Sequence, residues 1–176
     1  MRFSDFLRTT VLISAAAASL LAAVTVVGTT SASDDLLVLI AIGWWMLASL
    51  IGLWFGRRAE TSSPIATLLA SARMQPSLPA VDPARTVLNR LWPLLLSTLG
   101  AGVVGFALPQ VPAIATGFAI IWALAWRRQD AAVAAIEERD GACFYVRRTS
   151  PVRPIALERT PGFKALRPER VNGAVT

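Results

Sequence analysis

All 17 Lys and Arg residues of this 176-residue chain fall in three stretches, residues 2–8, 57–90 and 127–170, and residues 9–33, 36–56 and 91–126 carry no charge at all. A bilayer imposes such a pattern, because charges at hydrocarbon depth are costly and Arg-rich connections stay on the cytoplasmic side. The turns at residues 28–35 and 109–112 hold no basic residue. The chain therefore reads as an all-α membrane protein of four transmembrane helices arranged as two hairpins. Both termini are expected in the cytoplasm, and the location is a multi-pass one in a bacterial plasma (inner) membrane.

Composition agrees: 55% of residues are hydrophobic and 16% charged, with a mean hydropathy of +0.56, whereas soluble domains are roughly a quarter charged. Residues 1–130 form the expected membrane domain, with spans at about 10–29, 36–56, 91–108 and 112–126 and a cytoplasmic loop at 57–90. Residues 131–176 form a basic cytoplasmic tail.

Two segments admit a second reading. Ser31 and Ser33 before Asp34 also fit a signal-peptide cleavage site, but the uncharged run Val11 to Val27 exceeds the roughly 7–15 apolar residues of such a signal. The block 91–126 has 36 residues for two helices, so each would be only about 24–27 Å long. Spanning is the reading adopted for that pair, with a re-entrant loop as the alternative.

The chemistry available is narrow. There is no His, and Cys143 is the sole cysteine, which excludes disulfides within the chain, Cys-x-x-Cys sites and imidazole catalysis or ligation. No cofactor or metal is expected. The spans hold no ionisable residue, which argues against an ion-coupled transporter working alone. Asp130, Glu137, Glu138 and Asp140 form the only carboxylate cluster near the cytoplasmic surface, and on a helix the adjacent Glu137 and Glu138 point apart. The chain is not expected to be an enzyme.

Several residues have expected structural roles. Small residues at four-residue spacing, Ala48, Gly52 and Gly56, then Ser97, Ala101 and Gly105, and also Ala15, Ser19 and Ala23, allow close helix packing. Trp44 and Trp45 lie mid-span and read as packing residues. Ser49, Ser97, Thr98 and Thr116 are expected to bond carbonyls of their own helices. The hairpins share a plan, each leaving through a basic pair, Arg57-Arg58 and Arg127-Arg128, into a short helix, Pro64 to Met74 with Ser63 as its cap and Ala131 to Arg139. Residue identities barely match between them, so shared hydropathy explains the likeness more simply than duplication.

In the tail, Ala142 to Arg148 has strand character, with Phe144 and Val146 on one face and Cys143, Tyr145 and Arg147 on the other. With Ile155 to Arg159 it can form a small β-hairpin, which needs support to be stable in water. Arg147-Arg148-Thr149-Ser150 resembles a basophilic kinase site, and Pro151 to Pro154 reads as a rigid turn. No nucleic-acid-binding module is present, and nucleic acid is not expected as a partner.

Arg57, Arg58, Arg127 and Arg128 are the candidates for fixing topology and contacting lipid headgroups. Arg147, Arg148 and Arg153 are the candidates for tail contacts with lipid or a partner. The expected role is accessory, assembly or regulatory, with anionic lipid and a membrane or cytoplasmic protein as partners. The alternative is a homo-oligomeric channel or transporter subunit.

Overall fold

A computed structural model describes residues 1–32, 35–57, 61–74, 82–147 and 155–161. Arg58, Arg148, Arg153, the Ser150 motif and the Pro151 to Pro154 turn lie outside the described residues. The elements are α1 (Phe3–Ala32), α2 (Asp35–Phe55), α3 (Ser63–Ala70), β1 (Arg73–Met74), α4 (Pro83–Val104), α5 (Gln110–Trp126), α6 (Gln129–Asp140), β2 (Ala142–Val146) and β3 (Leu157–Pro161).

Three helices, α1, α2 and α4, are long and apolar enough to cross a membrane, which makes this a multi-pass membrane protein. Helix α1 begins earlier than its uncharged run, because Phe3, Phe6 and Leu7 find a core to bury in and Asp5 in the first turn suits the helix dipole. Helix α4 also starts early. Asp82 accepts from the N–H of Ala84 at 3.2 Å and Pro83 fills the first helical position, where its missing N–H costs nothing. Helix α5 has 17 residues, about 26 Å at 1.5 Å per residue, and is the shortest of the four long helices.

The two sequence hairpins do not pack as two separate units. Helix α5 lies between α1 and α2, and α4 rests mainly on α1. Trp44 and Trp45 of α2 reach Ile114 and Ala113 of α5, while Gly52 and Gly56 lie against Ile121 and Leu124, so α2 and α5 run in the same direction. Gly105 of α4 meets Val24 of α1, and Gly28 of α1 meets Pro109 just before α5. Helices α1 and α4 therefore run together, opposite to α2 and α5. This brings Arg8, Arg57, Arg90 and Arg127 to one end of the bundle.

Close approach explains the glycines along α5. A methyl group on Gly117 would collide with the Trp44 indole, and one on Gly56 with the carbonyl oxygen of Leu124. Ala48, Gly52 and Gly56 are all buried, the two glycines against α5, whereas of the second stripe only Gly105, just past α4, is buried; Ser97 is exposed and Ala101 half-buried. The row Ala15, Ser19 and Ala23 faces outward, and α1 instead packs through Ser14, Ala17, Ala18, Leu21 and Thr25, the neighbouring stripe. Hydroxyls in the spans bond their own helices: Ser49 to Trp45, Ser97 and Thr98 to Leu94, Thr116 to Pro112.

At the basic end a cap is built on the helices. Phe3, Phe6 and Leu7 of α1, Ile65 of α3, Leu91 of α4, Val133 of α6, Phe144 and Val146 of β2 and Leu157 of β3 share one core, with Trp126 packed against it. The sheet order is β1-β3-β2, with β2 antiparallel and β1 parallel to β3. The expected hairpin is present with a shorter first strand and a second strand two residues further along. It is supported as it needs to be, by β1 from the loop and by residue 1, whose carbonyl accepts from the Val146 N–H at 3.2 Å. The expected loop helix is shorter too: α3 ends at Ala70, its cap residue is Ser62 rather than Ser63, and Arg73–Met74 become β1.

The order of elements repeats, two long helices, a short helix and a strand, first as α1 to β1 and again as α4 to β2. The packing does not repeat, because α5 fills the gap between α1 and α2 while α4 and α2 make no comparable contact.

Candidate functional site: the basic cap

Among the described residues, the basic candidates Arg57, Arg127, Arg128 and Arg147 lie at the capped end of the bundle. Arg57 follows α2, and its guanidinium stacks 4.8 Å over the Trp54 ring, a contact that orients the cation at the rim of the apolar zone. Arg128 donates to the carbonyl of Arg57 at 2.8 Å, tying the ends of α2 and α5 at one level. Gln129 reinforces the joint by accepting from the Ser62 N–H at 3.1 Å. Arg127 is exposed beside them. Two basic exits separate in sequence are thus brought together, and Arg147, the described member of the tail set, lies on the sheet away from them.

The outer face of the sheet carries a cross-strand row. Arg2 bridges to Tyr145, Tyr145 lies opposite Glu158, and Glu158 lies opposite Arg73. Glu158 is almost wholly buried and Arg147 reaches it at 3.5 Å. The hydrogen bond between the side chains of Arg2 and Tyr145 raises the guanidinium above its ordinary pKa. On this face Arg147 pairs with Glu158 and Arg2 with Tyr145.

Glu137 is a half-buried carboxylate of the cap. It accepts from the Phe144 N–H at 2.9 Å, fastening α6 to β2 just past the turn at Gly141, whose φ of 59° favours glycine. Burial pushes its carboxyl above the usual value, and the Phe144 N–H and Arg2 pull it back only in part. Glu138 is exposed, and Asp140 is held below its usual value by the Arg139 guanidinium at 2.9 Å. Among the described residues the four carboxylates do not converge, and no group of three or more His, Cys, Asp or Glu could hold a metal ion.

Between α3 and α6 lies an open cleft of about 280 Å³, lined by Leu69, Ile136 and Phe144 with Arg139, Asp140 and Arg159. Arg159 shares the core-facing side of the sheet with Phe144, its cross-strand neighbour. Leu69, Ile136 and Phe144 form its floor, edged by Arg139, Arg159 and Asp140. Sequence reasoning gave no site role to Arg2, Arg139 or Arg159, and weighed Glu137 only as a member of the carboxylate cluster. The strand alternation located Phe144, but only the register of β3 shows that Arg159 stands opposite it.

Comparison with protein-family models, with curated proteins and with solved structures returned no match. The functional argument rests on the geometry above.

Proposed function

We propose that this chain is a non-enzymatic accessory, assembly or regulatory protein of a bacterial plasma membrane. It crosses the bilayer four times with both termini cytoplasmic, its cap rests on anionic headgroups, and the cleft between α3 and α6 receives a protein partner. The observation that carries this reading is the single core shared by cap and bundle. Leu91 and Trp126 belong to long apolar helices, yet pack with Phe3, Phe144 and Leu157 of the cap. A cap joined in this way sits at headgroup height, where each Lys or Arg near an anionic surface adds about 1 kcal/mol of attraction.

The bundle interior supports a scaffold more than a conduit. Four of its buried hydroxyls, Thr10, Thr25, Thr29 and Thr116, are spent on carbonyls of their own helices, Ser14 Oγ is buried without a partner among the described residues, and α5 fills the space between α1 and α2. Native mass spectrometry of the gently solubilised protein tests the proposal. A stoichiometric foreign subunit is expected. A homo-oligomer without one, able to pass solute across liposomes by itself, would replace this reading with a channel or transporter subunit.

A further inference from the structure

The cleft between α3 and α6 contains a cation that the described fold leaves unpaired. Arg159 lies on β3, the central strand, with Met74 of β1 as its partner on one side and Phe144 of β2 on the other. Its backbone is therefore held from both edges. Strand alternation sends Glu158 to the outer face and Arg159 to the side of Phe144, where it lines the cleft. The residue is half-buried, yet among the described residues no hydrogen bond or ion pair engages its guanidinium. The other two charges of the cleft satisfy each other. Arg139 donates to Asp140 at 2.9 Å, and this bond is the main cause that holds the Asp140 carboxyl below its ordinary value, with Arg159 acting on it only weakly. Beside Arg159 the floor is apolar, and Ala66 and Ala70 of α3 have side chains too short to close the cleft.

We infer that this cleft recognises an acidic segment of a protein partner, with one Asp or Glu carboxylate at Arg159 and a neighbouring apolar side chain on Leu69, Ile136 and Phe144. The lining itself selects this occupant. A guanidinium offers a planar fork of N–H donors that matches a carboxylate, and one uncompensated cation balances one carboxylate. Nucleic acid would call for several cations along a phosphate backbone. The cleft is open, with a volume of about 280 Å³, so it covers an occupant from one side only. Small-molecule sites enclose most of their ligand, whereas a polypeptide gains further hold from contacts outside the cleft. The paired backbone on both sides of Arg159 reduces the ordering that binding would otherwise require. The inference rests on the reading that the cleft receives a protein partner, and it names the chemistry by which that partner is recognised.

The test uses the full-length protein in phosphatidylcholine nanodiscs and a library of short random peptides displayed on phage as the probe. Selection is expected to enrich peptides that place Asp or Glu beside Leu, Ile or Phe, and the enriched peptide, made synthetically, is then titrated against variants. Arg159→Gln is expected to weaken its binding about tenfold or more, as for a lost charge-assisted hydrogen bond. Asp140→Asn removes the competing anion and releases Arg139, so it is expected to tighten binding by about two- to fivefold. That gain cannot come from a damaged fold. No enrichment, enrichment of basic or uncharged peptides, or acidic peptides that bind Arg159→Gln as tightly and Asp140→Asn no better would overturn the site. A foreign subunit that native mass spectrometry still finds on Arg159→Gln would overturn it too, and leave the accessory role standing. Acidic peptides that bind as expected to a chain carrying no foreign subunit would keep the site and overturn that role.

Discussion

The indole nitrogen of Trp45 donates to the carbonyl oxygen of Ala113 across 2.9 Å, and the adjacent Trp44 does the same to Ile114 at 3.2 Å. Two consecutive residues of α2 thus hold two consecutive carbonyls of α5. Each indole N–H finds an acceptor at a depth where no water can supply one, and α5 becomes the strut between α1 and α2.

Removing one of these bonds has a modest cost. Trp45→Phe keeps the ring volume near α5 and loses the donor, so it is expected to lower stability by about 0.6 kcal/mol and by no more than about 2 kcal/mol, the range of hydrogen bonds between membrane helices. Unfolding in mixed micelles with rising sodium dodecyl sulfate measures it.

The glycines facing that contact divide sharply. Gly117→Ala places a methyl group inside the Trp44 indole, whereas Gly43→Ala and Gly100→Ala meet nothing within 4 Å. The first is expected to cost about 1–3 kcal/mol as an overpacked site, and the other two to be neutral or slightly stabilising. Adding Trp44→Ala to Gly117→Ala should recover part of the loss, and a cycle of these variants in the same micelle assay reads the coupling.

The cap is expected not to fold without α1 and α3. A peptide of residues 129–176 retains Val133, Phe144, Val146 and Leu157 but loses Phe3, Phe6, Leu7, Ile65 and Leu91, the rest of the core. Its circular dichroism should show no cooperative thermal transition. In the whole chain Phe144→Ala should cost about 3–5 kcal/mol, as for other buried aromatic residues.

Glu137 makes cap stability depend on pH. Burial raises its carboxyl above the ordinary 4.5 although Arg2 opposes the shift and Asp5 assists it, so the folded chain holds this proton more tightly than the unfolded chain. The stabilisation is fully present below the unfolded value and is lost as pH rises through the folded one. Glu137→Gln keeps an acceptor for the Phe144 N–H and removes the titration. The melting temperature of the wild type relative to this variant should therefore fall as pH rises from about 4 to about 7.

The long helices were legible because charge and hydropathy are local properties. Arg57 and Arg127 mark two helix ends without reference to any partner, while Arg90 marks the start of an uncharged run inside α4. What was not legible depends on contacts between distant residues. No periodicity within 91–126 announces that α5, and not α1, would be the neighbour of α2. Its partner choice rests on Gly117 accepting Trp44 and on Gly52 and Gly56 accepting Leu124, shape matches made across about 70 residues of sequence. The Asp82-Pro83 start of α4, not anticipated from the sequence, lengthens that helix to 22 residues and removes the shortness expected of it. The cap resisted sequence reading because its core draws on α1, α3, α4, α6, β2 and β3, and β1 has only two residues. Strand alternation did place Phe144 and Val146 inward, as they are.

The account depends most on α5 crossing the membrane with the cap on the cytoplasmic side. Cysteine labelling in intact cells, on a Cys143→Ser background, tests this directly through the exposed Gln110 at the start of α5 and the exposed Ala134 on α6. Gln110→Cys should react with an impermeant maleimide added outside, and Ala134→Cys only after the membrane is opened. Labelling of Ala134→Cys from outside, or protection of Gln110→Cys on that side with access after opening, would contradict the four-crossing arrangement.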